Sequence, residues 1–230
     1  MQTLQRFKVV LIIAIASSFF VNCHTESSGY FQGRENTFTR YSLIYYESLN
    51  LSAAEAEFFE FNEDGRKLNL NLSVPAKVTF DKSIQGVKFD DMRLKYYKNF
   101  SGIKKNVSVE FYYTSNNIPY INDIEMVNSV GLPISLSSVQ KGAGLNFTFI
   151  GAPVAKNEQV ILKINELTFT NNKEGSNSFD ISSSELSSLP IGNAKVSILR
   201  MKRVPATSAP EAGGVLVSAY QSAEKTISIQ

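Results

Sequence analysis

Residues 105–126, KNVSVEFYYTSNNIPYINDIEM, decide the fold class. Val107, Val109, Phe111 and Tyr113 occupy every second position, a Ser-Asn-Asn step interrupts them, and the chain returns through Tyr120 and Ile124. Side chains on a strand alternate between two faces, so this is the pattern of two strands that each bury one face and are joined by a turn. A helix would space its apolar residues three and four apart.

The device recurs on both sides of this hairpin. In FFEFNEDGRKLNLNLS, Leu68, Leu70 and Leu72 alternate with Lys67, Asn69 and Asn71, after the turn chemistry of Asp64-Gly65. The preceding SAAEAEFF has helical propensity, but a piece so short yields to strand pairing and is read as strand. Further on, GLNFTFI puts Leu145, Phe147 and Phe149 on one face, QVILKINELTFT is apolar enough for both faces to be partly covered, and QVILKINEL is read as a strand. Ser182 and Glu185 have capping-box spacing, with Leu186 and Leu189 placed to bury one helical turn. Pro190 to Asn193 then turns the chain into a strand from Lys195, on which Arg200, Lys202 and Arg203 read as a solvated side. GGVLVSAYQ and KTISIQ are expected to close the fold as a hairpin.

Short strands separated by Gly, Pro, Asn and Ser argue for an all-β chain, and MVNSVGLPIS at 126–135 divides it in two. The expected architecture is two tandem antiparallel β-sandwich, Ig-like domains at 35–128 and 129–230, with one large sandwich of some fourteen strands as the alternative. They follow a cleaved signal at 1–22 and a flexible tether at 23–34.

The N-terminal reading rests on the only cysteine. Arg6 and Lys8 precede an apolar run from Val9 to Val21, too short for the ~30 Å hydrocarbon core at ~1.5 Å rise per residue. Cys23 ends that run and has no second cysteine to pair with. The stretch FFVNC resembles a bacterial lipobox, with Asn22 standing where a small residue is usual. That resemblance implies lipid attachment at Cys23 and anchorage in the cell envelope, as an outer-membrane lipoprotein. The C-terminal run LPISLSSVQKGAGLNFTFIG, then QVILKINEL, then FDISSSELSSLPIGNAKVSILRMKR, resembles Bacteroidetes-type lipoproteins that join an N-terminal β domain to a C-terminal Ig-like domain. Where such proteins often carry a Trp, this chain has Phe147 and Phe149. The resemblance implies fold and location rather than chemistry.

Composition narrows the function. Removing Arg6 and Lys8 with the signal leaves 21 Lys+Arg (23 minus 2) against 21 Asp+Glu, a neutral chain without the basic footprint of a nucleic-acid binder. One His, at 24, and one Cys exclude His-based triads, Cys-His dyads and His-rich zinc sites. A hydrolytic carboxylate pair needs only two acids, and Asp90, Asp91, Glu110, Asp123 and Glu125 supply the chemistry for that distant alternative. Neither FDD at 89–91 nor NEDG at 62–65 has the ligand spacing of a calcium loop, so both read as turns. The five Asn-x-Ser/Thr sequons, at Asn50, Asn71, Asn99, Asn106 and Asn146, are expected by chance in so Asn- and Ser-rich a chain. No cofactor or metal is expected.

Tyrosine supplies the remaining asymmetry, because nine of ten lie at or before residue 120. Adjacent pairs on a strand point to opposite faces. Tyr96, Tyr97, Tyr112, Tyr113 and Tyr120 are therefore the candidate binding surface, an aromatic platform for protein or glycan. The expected function is a lipid-anchored, non-catalytic binding or adhesion module of the envelope; a purely structural envelope component is the alternative.

Overall fold

The structure is a computed structural model that describes residues 37–61, 67–70, 72, 76–84, 86–90, 93–112 and 119–230. Cys23, the tether, the NEDG turn, Asp91 and Tyr113 lie outside the described residues. The N-terminal half contains β1 (Phe38–Tyr46), β2 (Leu51–Phe61), β3 (Lys67–Asn69), β4 (Lys77–Phe80), β5 (Ser83–Ile84), β6 (Gly86–Asp90), β7 (Arg93–Ser101), β8 (Asn106–Tyr112) and β9 (Pro119–Glu125). The C-terminal half contains β10 (Ser138–Val139), β11 (Leu145–Thr148), β12 (Glu158–Ile164), β13 (Leu167–Asn171), β14 (Ser178–Ile181), the one-turn helix α1 (Ser183–Leu186), β15 (Gly192–Pro205), β16 (Gly214–Gln221) and β17 (Lys225–Ile229). The chain is all-β, as its period of two requires.

The local readings hold where the pattern was strongest. β8 and β9 pair from Asn106↔Glu125 to Tyr112↔Pro119, and Val107, Val109 and Phe111 are buried on one face. β2 and β3 form the expected hairpin, and SAAEAEFF is strand. Ser182 caps α1 in a complete capping box with Glu185, which buries Leu186 and Leu189.

Two apolar cores form. In the N-terminal one, β1, β2 and β7 face the four-stranded sheet β5-β4-β8-β9, and Phe58 meets Phe111 across the gap with ring centroids 4.5 Å apart. In the C-terminal one, β12, β15 and β17 face the two-stranded sheet β11-β14 and α1, with Phe147 stacked on Phe179 at 5.5 Å.

The halves share one sheet of eleven strands, because β1 pairs in parallel with β16 from Thr39↔Gly214 to Tyr46↔Gln221. Parallel pairing of strands so remote in sequence leaves no local signature. Cross-half contacts thicken the seam. Tyr45 of β1 belongs to the C-terminal core, and Leu216 of β16 to the N-terminal one. Buried Asn122 of β9 holds the loop after β15, donating to the Ser208 carbonyl and accepting from the Ser208 N–H at 3.1 Å.

Three expectations are corrected. GGVLVSAYQ and KTISIQ do not form a hairpin with each other. β16 and β17 follow one another along the same edge of β15, at Leu199–Pro205 and Gly192–Val196, with a break at 222–224. The long β15 offers each a full partner, which a hairpin would forfeit. QVILKINEL is not one strand: β12 ends at Ile164 and pairs with β13 across a turn at Asn165, whose φ of 51° suits an Asn better than most residues. Arg200 is not on a solvated side. It is 0% exposed, in phase with Ala194, Val196 and Ile198 on the inner face of β15. Its Nη1 lies 3.6 Å from Glu158 Oε2, its Nη2 donates to the Ala152 carbonyl, and its guanidinium sits 5.7 Å from the Phe149 ring centre. Burial lowers its pKa, and Glu158 opposes that shift.

Candidate binding cleft

The seam between the cores is concave. Residues 126–130, which lead from β9 toward β10, run without regular structure between two fixed points. At one end Met126 N–H bonds the Lys105 carbonyl at 2.8 Å and Val127 N–H bonds Ser218 Oγ at 2.6 Å. At the other, Gly131 and Ile150 exchange backbone hydrogen bonds at 2.9 and 2.8 Å. Exposed Asn128 and Ser129 lie between these anchors and make no hydrogen bond among the described residues.

Two hollows flank this crossing and share Ser129 and Tyr220. The first, about 610 Å³, is bounded by Ile103, Lys105, Asn106, Glu125, Met126 and Asn128. The second, about 420 Å³, is bounded by Glu47, Val130, Leu132, Ile150 and residues 222–225. These volumes suit a small ligand or a few residues of a polymer. The walls offer exposed apolar side chains, Ile103 and Ile150, beside charges of both signs, Lys105 and Glu125 at one end and Glu224 and Lys225 at the other. A smaller hollow of about 180 Å³ lies nearby between Asp123, Glu125, Lys202 and Ser218.

Tyr220, 7% exposed, is fixed in this seam. Its ring lies 5.2 Å from that of Tyr45, its partner in the parallel ladder, and its hydroxyl donates to Glu47 Oε1 at 3.1 Å. Burial, then the Glu47 hydrogen bond and charge, push its pKa up to about 12. Glu47 Oε2 also accepts from Ala223 N–H at 2.8 Å. Lys225 Nζ donates to the carbonyls of Pro133 and Ile134 at 3.3 and 2.9 Å, holding the loop that leads into β10.

The candidate tyrosines are spread over several surfaces. Tyr96 is buried, edge-on to Phe58 at 5.7 Å, and its hydroxyl accepts from Leu72 N–H at 2.8 Å, so that ring serves the core. Tyr97 is half-buried on the opposite face of β7, paired with Glu55 in the ladder. Tyr120 stacks on Phe111 at 6.0 Å, against the N-terminal core. Tyr112 lies on the outer face of the four-stranded sheet, with Lys77 Nζ 4.5 Å from its ring centre and its hydroxyl on Glu110 Oε2 at 2.8 Å. Tyr112 and Tyr97 therefore lie on different sheets. Of the candidate acids, Glu110 is engaged by Tyr112 and Thr79, while Asp123 and Glu125 border the small hollow. Asp90 is described in its backbone alone.

Sequence reasoning missed Tyr220, the tenth tyrosine, because the asymmetry pointed to the other nine. It missed Glu47 because a lone exposed glutamate after a strand carries no signal.

No protein-family model matches this chain, and no curated protein matches it. Among solved structures, it is similar to a Ca²⁺-stabilised adhesin with which an Antarctic bacterium binds ice, at 11% identity and a TM-score of 0.24, over 88% of this chain and 50% of that one. It is similar to the Yersinia pseudotuberculosis adhesin InvE at 10% identity and a TM-score of 0.24, over 85% and 59%. A 1.5-MDa bacterial ice-binding adhesin gives 10% identity and a TM-score of 0.25, over 89% and 66%. The chain thus spans between half and two thirds of the length of these structures. Likeness at this level carries no argument about what the chain binds.

Proposed function

We propose that the mature protein is a lipid-anchored component of the bacterial cell envelope, held by Cys23 in the manner of an outer-membrane lipoprotein, and that it works as a non-catalytic binding or adhesion module for protein or glycan. The observation that carries the binding reading is the seam: two adjoining hollows, walled by exposed isoleucines and by charges of both signs, meet over a fixed Tyr220. Concave surfaces with apolar walls and a few oriented polar groups are where recognition concentrates. Its place between two cores gives it rigid walls, since Val127, Val130 and Tyr220 line it and are packed in the C-terminal core.

Full-length chain in detergent, probed against glycan arrays and envelope extracts, tests the reading. Binding is expected, and Ile103→Asp or Ile150→Asp should weaken it at least tenfold while the outward-facing Tyr112→Ala leaves it unchanged. Binding that survives both isoleucine variants would move the site elsewhere. Turnover of a polysaccharide, lost on replacing Glu110 or Glu125, would end the non-catalytic reading.

A further inference from the structure

The second hollow borders a gap in a β-sheet at residues 222–225. β16 and β17 form one line along β15, and two strands lie beside that line on its other edge. β1 accompanies it in parallel as far as Tyr46↔Gln221, and β10 resumes, again in parallel, at Ser138↔Ser228. Between these points, residues 222–227 have no strand on that edge among the described residues.

Main-chain groups in the gap are presented as they would be to a strand. Ser228 and Gln230 donate their N–H groups to the Ser137 and Val139 carbonyls at 3.0 and 2.9 Å, so even-numbered residues of β17 face this edge. Thr226, two positions earlier, is exposed, faces the gap by the same alternation, and makes no hydrogen bond there among the described residues. At the near end Glu47 Oε2 takes the Ala223 N–H at 2.8 Å, where the carbonyl of a neighbouring strand would otherwise be. At the far end the Lys225 side chain closes the gap onto the Pro133 and Ile134 carbonyls. Val130, Leu132 and Ile150 form the wall behind.

We infer that this gap is a strand slot, and that its ligand is an extended peptide segment of a partner protein, added to the sheet between β1 and β10. This rests on the binding reading above and names the ligand class. From 224 to 226 the open edge runs about 10 Å at ~3.3 Å per residue, which admits two or three peptide residues. Open edges of this kind recruit strands, with main-chain hydrogen bonds supplying affinity and side-chain seats supplying selectivity. One apolar side chain would seat on Leu132 and Ile150. Because the Lys225 ammonium is turned to the 133–134 carbonyls and Glu224 is paired with Lys195 at 3.2 Å, the charge of Glu47, which meets no cation among the described residues, favours a basic neighbour.

The probe is an array of acetylated, amidated octapeptides with randomised central residues, read against the full chain in detergent. Peptides with an apolar residue beside Lys or Arg should bind. N-methylation of alternate peptide nitrogens should weaken binding at least tenfold, and methylation of the intervening ones should not. Thr226→Pro removes an N–H that no strand uses, so its melt should be unchanged and its peptide binding at least tenfold weaker. If that variant does not fold, the N-methyl series decides alone. Binding indifferent to N-methylation, or no peptide binding at all, overturns the slot. A glycan hit abolished by Ile150→Asp, with no peptide hit, would leave the binding module standing and sink the peptide; no ligand of any class would sink both.

Discussion

The carboxylate of Glu47 accepts the hydroxyl of Tyr220, 173 residues further along the chain, at 3.1 Å. With its other oxygen it takes the Ala223 N–H. One side chain thus ties the end of β1 to the break between β16 and β17, where the two halves of the sheet meet. Glu47→Ala should destabilise the chain by about 1–3 kcal/mol and Tyr220→Phe by about 1 kcal/mol, because the first strands two donors and the second deletes one. Urea melts of both and of the double variant should reveal a coupling of about 0.5 kcal/mol or more; strict additivity would mean that the contact does not act in solution.

Alkaline pH should weaken the fold through the same residue. Burial, then the Glu47 hydrogen bond and charge, push the Tyr220 pKa up to about 12 from the ordinary 10.0, so the folded state retains a proton that the unfolded state releases. Its contribution is complete below pH 10 and is lost as pH rises toward about 12, amounting to roughly 2–3 kcal/mol. Tyr41, buried in the N-terminal core, is raised further by its burial and acts in the same direction. Tyr220→Phe should flatten the fall in stability between pH 10 and 12; an unchanged slope would show that Tyr220 does not contribute to it.

Arg200 and Glu158 should respond to mutation as a pair. Either single change, Glu158→Ala or Arg200→Met, leaves the other charge buried and uncompensated and should cost about 3–5 kcal/mol, whereas Arg200→Met combined with Glu158→Leu removes both charges and should be much milder. Thermal melts of the three variants check this, and a double variant as unstable as the sum of the singles would show that the two charges do not compensate each other.

Residues 129–230 alone should show β-rich circular dichroism, since they contain all but Tyr45 and Val127 of the buried C-terminal cluster. They should also self-associate, because removing β1 exposes the edge of β16 from Gly214 to Gln221. Sedimentation of the fragment against the full chain tests this, and a clean monomer would deny that the β1 ladder protects the edge.

Cys23→Ser should release the protein from the membrane fraction and abolish incorporation of labelled fatty acid. Retention of both would remove the lipid anchor from the proposal.

Much of this architecture was legible in the residues, since alternation is a local property. Val107, Val109 and Phe111 announce their face whatever the remainder of the chain does, and so do Leu145, Phe147 and Phe149. Ser182 and Glu185 announce a helical turn because their hydrogen bonds close over three residues. Even the burial of Arg200 was present in its phase with Val196 and Ile198, obscured by the assumption that a cation stays in water. What alternation does not encode is which edges meet. The pairing of Thr39 with Gly214, the collinear run of β16 and β17, and the gap beside Thr226 follow from how two amphipathic layers close around two cores. The same side-chain pattern satisfies a hairpin and a remote parallel ladder equally well, and only simultaneous burial of both cores selects between them. The tyrosines were parted for this reason: their phase set inward or outward, while tertiary packing set which sheet each outward ring belongs to.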